Sequence, residues 1–324
     1  MTDNAADRNL ALDAVRVTEA AAIAATAHLG RGDERAADIA AIQAMMARLG
    51  TLTLDGTVRM GEGEKGEVAD LFAGQKVGTG DGPKADVAVL ALEGKSIVAR
   101  GGYNALSVIA MAEDGGFLQV PNIYMEKIAV GPGLPDGIID LDAEPADILA
   151  ALAKARKMKV SDLIVCMLDR PRHAQTVAKI RDAGAGVRLL LDGDVSGVVA
   201  AALPNSGVDI FMGSGRACQG VIAAAALRGL GGQMQGRLIV RNDDEAQKLR
   251  AAGVNDAGRK YDLTDMAAGN VTFAATGVTM GPMLSGVQLE GSRATTHSMV
   301  VRSKTRTLRY IEGHHHVSRK GKKA

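Results

Sequence analysis

Charged side chains collect in three short polar segments, and each segment directly follows an apolar run. The segments are DRPRH at 169–173, DGD at 192–194 and GSGR at 213–216. The preceding runs alternate with helical patterns, which predicts a parallel sheet covered on both faces. Because ligands of open α/β sheets bind at the carboxyl ends of the strands, the segments predict a ligand-binding rim. GSGR also precedes a helix, where backbone amides can receive a phosphate, although a tight turn alone would account for it.

Acidic side chains offer a second kind of chemistry. The segment GEGEKGE at 61–67 places Glu62 and Glu64 among three acids in seven positions. Carboxylates this close repel one another unless a cation lies among them or water separates them, so a metal loop and a solvated turn both stay open. Asp38 falls on the apolar face of a predicted helix, together with Met45 and Leu49. Helix position alone favours an acid satisfied by a hydrogen bond or a partner cation over a metal ligand.

Composition limits the classes of protein. The chain has 324 residues, a formal net charge of +1 and 23% charged residues. This length suits two domains, which we expect at 1–157 and 158–324, and this balance of charge does not indicate nucleic-acid binding. Two distant cysteines, Cys166 and Cys218, and an opening without leader features predict a cytoplasmic location. No apolar run reaches about 18 residues, so no membrane span is expected.

Periodicity predicts the elements that must position these side chains. We expect helices at 8–29 and 34–49, a buried strand in KADVAVLALEG, and a helix followed by a turn in GGYNALSVIAMAEDGGF. A further helix is expected at 144–157, and strands in LIVCML, VRLLL and VDIFM. The segment ATTHSMVVRSKTRTLRYIE alternates as a hairpin does, and we interpret its basic residues as a solvated strand face. The ending HHHVSRKGKKA is assigned no function.

An ordered series of short motifs extends from about residue 15 to residue 310. It comprises LGRGD, AAD, GEGE, KVGTG, LEG, NAL, YMEK, VGPG, RPRH, DGD and ATGVT. The series resembles the class II fructose-1,6-bisphosphatases, within the lithium-sensitive sugar and inositol phosphatases. The resemblance implies a layered, two-domain α/β fold, with a mixed sheet in the metal-binding first domain and a parallel sheet in the sugar-phosphate-binding second. It also implies Mn²⁺ or Mg²⁺ and hydrolysis of the 1-phosphate of fructose 1,6-bisphosphate in gluconeogenesis.

The resemblance also assigns roles to residues. Metal ligands would be Asp38, Glu62 and Glu93, and two further ligand positions are occupied by Leu90 and Gln219. The catalytic acids would be Glu62, Glu64 and Glu93, and a family acid near the attacking water is replaced by Gly66. The substrate would contact the following residues: Glu93, Gly94, Lys95, Tyr124, Arg170, Pro171, Arg172, Asp192, Gly193, Asp194 and Arg216.

These departures from the family pattern all make the predicted pocket more positive. Three acids are absent and two cations, Lys95 and Arg216, are present instead. Metal affinity should therefore fall, whereas a guanidinium and an ammonium can still hold a phosphate. Two hypotheses follow: a phosphatase with an altered, one-metal site, or a binding protein that senses a sugar phosphate or assembles with an active relative. A copy drifting without selection is disfavoured by the intact glycines and core pattern. A homo-oligomer is compatible with the Ala-rich helices.

Overall fold

The computed structural model describes the backbone of residues 6–317 and the side chains from residue 10 onward. The last part of the basic ending, 318–324, lies outside the described residues. The helices are α1 (Ala6–Thr26), α2 (Glu34–Leu49), α3 (Lys95–Arg100), α4 (Pro145–Arg156), α5 (Ala174–Asp182), α6 (Asp194–Ala200), α7 (Ala217–Leu230), α8 (Asp243–Ala251) and α9 (Leu263–Met266). The strands are β1 (Asp55–Met60), β2 (Lys76–Val77), β3 (Lys84–Glu93), β4 (Leu106–Glu113), β5 (Tyr124–Val130), β6 (Ile164–Leu168), β7 (Gly186–Leu190), β8 (Ile210–Arg216), β9 (Gln233–Ile239), β10 (Lys260–Tyr261), β11 (Val271–Gly277), β12 (Gln288–Glu290), β13 (Arg293–Arg302) and β14 (Thr307–His316).

The described strands form two sheets. The first has the order β12-β13-β11-β4-β3-β1-β2, with β14 paired to β13, and the second has the order β10-β9-β5-β8-β6-β7. In the first sheet β1 and β3 are parallel and the other pairs are antiparallel, as expected for a mixed sheet. In the second sheet β6 is parallel to β7 and β8, whereas β5 and β10 add antiparallel pairs. The second sheet is therefore parallel only in part.

The sheets and helices stack in five layers. Helices α1 and α2 cover the outer face of the first sheet, where Val87, Val89 and Met45 belong to one buried core. Helices α6 and α7 lie between the two sheets and bury residues of both, such as Ala88 and Phe211. Helices α4 and α5 cover the outer face of the second sheet. This stack confirms the predicted layered α/β fold, because each sheet face needs an apolar partner.

Local sequence explains several element boundaries. Asp33 caps α2, since its Oδ1 accepts the Ala36 backbone N–H at 2.9 Å. The segment LSVIAMAE, predicted as a helix, is instead strand β4. It pairs with β3 on one side and β11 on the other, and its residues from Leu106 to Ala112 are all buried. A strand buried on both faces shows no alternation, so periodicity could not identify it.

Both sheets draw strands from either side of residue 157. Strand β5 precedes that residue and lies in the second sheet, whereas β11 to β14 follow it and lie in the first. The predicted C-terminal hairpin is present as β13 and β14, but it extends the first sheet. The division into 1–157 and 158–324 stays a prediction. Within residues 6–317, no helix is both long and apolar enough to cross a membrane.

Candidate functional site

A cavity of about 290 Å³ brings together most of the predicted site residues. One wall comes from the first sheet and α2, and the other from the turns that follow β6 and β7 and from the end of β8. The segment 213–216, expected to follow a strand, is the last part of strand β8. Ten predicted residues line it: Asp38, Glu62, Glu93, Gly94, Lys95, Tyr124, Arg170, Arg172, Asp192 and Arg216. We call this cavity the central pocket. Leu90 and Gln219 also line it.

Two buried or half-buried carboxyl groups form the acidic wall of the central pocket. The pairing of β3 with β4 shifts register between Leu90 and Glu93, at the end of β3 where Glu93 lines the cavity. Burial raises the pKa of Glu93 to about 8, although the Val195 backbone N–H, 2.9 Å from its Oε1, opposes this. Burial likewise raises the pKa of Glu62 to about 7, against the Ala91 backbone N–H at 2.6 Å. Both groups favour the protonated form more than an exposed glutamate does.

Asp38 has an ammonium group as its partner. The Lys95 Nζ lies 3.2 Å from Asp38 Oδ2, and about half of the Lys95 side chain is exposed. Lys95 is the first residue of α3, which packs against α2, so two neighbouring helices bring the pair together. The residue expected as a metal ligand thus has a cation as its partner. A partner cation for Asp38 is one of the two arrangements that helix position alone favoured over a metal ligand.

The donor set of the central pocket does not fit a divalent metal centre. Leu90 presents an apolar side chain that packs against the core between the sheets. Gln219 turns its amide toward Glu93, with Nε2 3.5 Å from Oε1. Among the described residues, no three His, Cys, Asp or Glu side chains are grouped so as to hold a metal ion. Hard cations need several oxygen ligands, and Leu90 and the Gln219 amide add no carboxylate to those of Asp38, Glu62 and Glu93.

The basic wall holds two arginines in fixed orientations. Arg170 donates from Nη1 to the carbonyl oxygens of Leu191 at 2.7 Å and Asp169 at 2.9 Å. Arg172 donates to Ser214, from Nε to Oγ at 3.0 Å and from Nη2 to the carbonyl oxygen at 2.6 Å. Pro171 separates the two arginines and begins a short 3-10 turn. Backbone carbonyls just after β6 and β7 and near the end of β8 thus orient the two guanidinium groups, which line one cavity.

Tyr124 is the aromatic surface of the central pocket. The Cζ atoms of Arg172 and Arg241 lie over its ring, 5.1 and 4.3 Å from the centroid. Arg216 is opposite Tyr124 in the β5–β8 pairing, and opposed residues in a sheet share a face. Sequence reasoning missed Arg241 because it lies in the β9–α8 connection, far along the chain from any predicted site residue. The clustered cations leave this wall suited to an anion.

Four predicted site residues do not line the central pocket: Glu64, Pro171, Gly193 and Asp194. Asp194 is fully buried as the first residue of α6, where it pairs with Lys127, so it does not line the central pocket. Its contact with substrate stays a prediction. Glu64 is exposed on the 61–67 loop and lines a neighbouring cavity of about 840 Å³. Gly193 adopts a left-handed conformation, φ +100°, and its N–H donates to Asp192 Oδ1 at 3.0 Å, so it shapes the turn.

Comparisons with known proteins show the family of the chain. Residues 8–315 match the family described as bacterial fructose-1,6-bisphosphatase, glpX-encoded. The chain is 42% identical over 327 residues to fructose-1,6-bisphosphatase 1 class 2 of Escherichia coli K12, covering 97% of each protein. The same identity and coverage hold for fructose-1,6-bisphosphatase class 2 of Escherichia coli O6:H1 and of Shigella flexneri. The chain belongs to the bacterial, glpX-encoded fructose-1,6-bisphosphatase family.

Proposed function

We propose that the central pocket binds fructose 1,6-bisphosphate or a closely similar sugar bisphosphate, with hydrolysis of its 1-phosphate as the associated activity. Family membership and 42% identity over nearly the whole chain support a fructose-1,6-bisphosphatase function. The observation that carries the proposal is the convergence of four cations on one cavity: Lys95, Arg170, Arg172 and Arg216. A phosphate dianion needs such donors, and arginine supplies two parallel hydrogen bonds to it.

Different pocket residues would contact different parts of the ligand. Arg170 and Arg172 are held by carbonyl oxygens, so little side-chain freedom is lost when they bind a phosphate. Asp192 lies at the same edge, with Oδ1 3.9 Å from Arg170 Nη2, and its carboxylate can accept sugar hydroxyl groups. Lys95 and Arg216 are also exposed and supply further positive charge, Lys95 from the start of α3 and Arg216 from the end of β8.

A second function is binding of a sugar phosphate with little hydrolysis. It is favoured by Leu90 and Gln219, which line the cavity together with Glu62 and Glu93 of the acidic wall. We infer that Leu90 and Gln219 occupy positions at which the family carries metal ligands, and that Lys95 and Arg216 compensate part of the lost positive charge. In two-metal phosphatases the ions activate water and neutralise phosphoryl oxygens, and Leu90 supplies no ligand atom for an ion. Recognition can persist in such a site because it depends on the arginines. A sensor or a partner subunit in the cytoplasm, able to form a homo-oligomer, would suit this activity.

Two measurements on the intact protein distinguish the functions. Calorimetry with fructose 1,6-bisphosphate, after treatment with a chelator, tests whether the central pocket binds the sugar phosphate. Phosphate release in the presence of Mn²⁺ tests hydrolysis. Binding with slow release supports the second function, and turnover of roughly 1 per second or faster supports a working phosphatase. Absence of binding with and without Mn²⁺ would overturn the proposed ligand.

A further inference from the structure

Lys127 is a charged residue buried beneath the central pocket. It lies in the middle of β5, with 1% of its surface exposed, and is flanked by Gly213 of β8 and Gly236 of β9. Burying an ammonium group is costly unless partners compensate it, so its contacts need an explanation. We infer that Lys127 is a positioning residue that fixes two segments of the pocket wall, 192–194 and 213–216. The inference rests on the proposed function for the identity of the ligand.

One ammonium group joins both segments to β5. The Lys127 Nζ pairs with Asp194 Oδ2 and also donates to the Arg216 carbonyl oxygen at 3.3 Å. Asp194 ends the first segment and Arg216 ends the second. Asp192 and Arg216, which line the central pocket, therefore lie within two residues of an atom that Lys127 holds. Moving the ammonium group would release both segments together.

The start of α6, which Lys127 contacts through Asp194, also contacts the acidic wall. Asp194 is the first residue of α6, and the next backbone N–H, that of Val195, donates to Glu93 Oε1 at 2.9 Å. The start of α6 thus connects Lys127 to Glu93. Within the described residues, Asp194 Oδ1 is buried without a hydrogen-bond partner, so this carboxylate depends on Lys127 for compensation. One ion pair consequently aligns residues on both sides of the cavity.

Close packing leaves these groups no room to shift independently. A Cβ atom at Gly215 would lie 1.8 Å from Asp194 Oδ2 and 3.0 Å from Lys127 Nζ. A Cβ atom at Gly220 of α7 would lie 3.3 Å from Lys127 Cδ. Backbone of β8 and α7 therefore encloses the pair. A tightly enclosed pair transmits its position to the surrounding chain, because packed interiors do not deform smoothly.

A double substitution that leaves the net charge unchanged can distinguish a positioning role of Lys127 from a contribution to stability. Replacing a buried ion pair by uncharged groups is often neutral for stability, whereas removing one partner is strongly destabilising. The double variant Lys127→Met with Asp194→Asn keeps the net charge and removes the attraction. The matched control is Arg156→Met with Asp209→Asn, which exchanges an ion pair at the opposite end of the second sheet, before β6 and β8.

We expect the Lys127→Met, Asp194→Asn variant to unfold near the parent temperature but to bind fructose 1,6-bisphosphate at least tenfold more weakly. Its backbone amides at 193–195 and 214–216 should exchange hydrogen faster than in the parent. The Arg156→Met, Asp209→Asn control should retain both parent affinity and parent exchange in these segments. Unchanged affinity together with unchanged exchange in the test variant would overturn the inference.

Two further outcomes are decisive. If this double variant does not fold, Lys127→Leu with Asp194→Asn, which also removes both charges, replaces it, and parent-like exchange at 193–195 and 214–216 would again overturn the inference. If the parent binds no fructose 1,6-bisphosphate, the proposed ligand fails. The exchange measurement, which needs no ligand, then still decides whether Lys127 fixes the two segments.

Discussion

Lys95 and Arg216 place two exposed cations at the mouth of the central pocket, beside carboxyl groups of the acidic wall. The variant Lys95→Thr with Arg216→Gly should bind fructose 1,6-bisphosphate at least tenfold more weakly in chelator-treated protein, a loss of about 1.4 kcal/mol. The reason is that both side chains supply charge-assisted hydrogen bonds to phosphate. Calorimetry at two salt concentrations measures this, and parent affinity should fall as salt rises.

The control for this prediction removes the same charge elsewhere. Lys76 and Lys179 are exposed lysines in surface ion pairs with Asp55 and Glu144, away from the central pocket. The variant Lys76→Thr with Lys179→Thr should keep parent affinity. Equal affinities of the two double variants and the parent would show that Lys95 and Arg216 take no part in binding.

Leu90, Gln219 and Gly66 are the residues to change if metal chemistry is to be restored. Leu90→Asp with Gln219→Glu should create measurable Mn²⁺ binding, because two carboxylates join Glu62 and Glu93 in one cavity. Phosphate release should rise strongly only when Lys95→Thr, Arg216→Gly and Gly66→Asp are added, since catalytic groups act as a unit. Calorimetry with Mn²⁺ and phosphate release at equal folded concentration measure the two effects.

This restoration should cost stability at two positions. Leu90 packs against the core between the sheets, and a carboxylate there loses apolar contacts. Gly66 has φ +96°, a conformation that aspartate rarely adopts, so Gly66→Asp adds backbone strain of about 1–3 kcal/mol. Full activity from Leu90→Asp and Gln219→Glu alone would show that Lys95 and Arg216 do not compete for the carboxylates.

At the scale of elements, the junction of β8 with α7 is the tightest point of the pocket wall. Gly215→Ala should destabilise the fold by about 1–3 kcal/mol and weaken ligand binding, because the added Cβ atom collides with Asp194. Gly50→Ala is the matched control: its Cβ atom would lie 3.5 Å from the nearest atom, at the end of α2. Chemical denaturation and calorimetry compare both variants with the parent. A Gly215→Ala protein as stable as Gly50→Ala would contradict the packing described here.

Elements were predictable from sequence where their pattern is local. The cap at Asp33 and the apolar runs of β6 and β8 could be identified because each signal lies within a few residues. Strand β4 could not, since burial on both faces removes alternation. The candidate site was likewise predictable only where its signals are local. The polar segments after β6 and β7 and at the end of β8 meet at one edge. The ion pairs Lys95–Asp38 and Lys127–Asp194, in contrast, join residues 57 and 67 positions apart, which no local pattern encodes.

At the scale of the whole molecule, the central pocket depends on both sheets. Glu93 belongs to the first sheet, Tyr124 belongs to the second, and the N-terminal ends of α6 and α7 approach the cavity from the layer between them. Recognition of a ligand with two phosphates therefore requires the relative position of all three layers. This is why buried contacts between layers, such as that of Lys127 with Asp194, bear on binding as well as on stability.

The whole chain should unfold as one cooperative unit, and fragments 1–157 and 158–324 should not fold separately. The first fragment would lack α7, which covers β3 and β4, and also lack β11 and β13. The second would lack β5, which separates β9 from β8, so its sheet would be divided. Each fragment would thus expose apolar faces that the intact chain buries, and burial of such faces is the main source of stability. Circular dichroism during chemical denaturation of the chain and of each fragment measures this: we expect one sharp transition for the chain and none for either fragment. A sharp transition in either fragment alone would instead identify it as an independent domain.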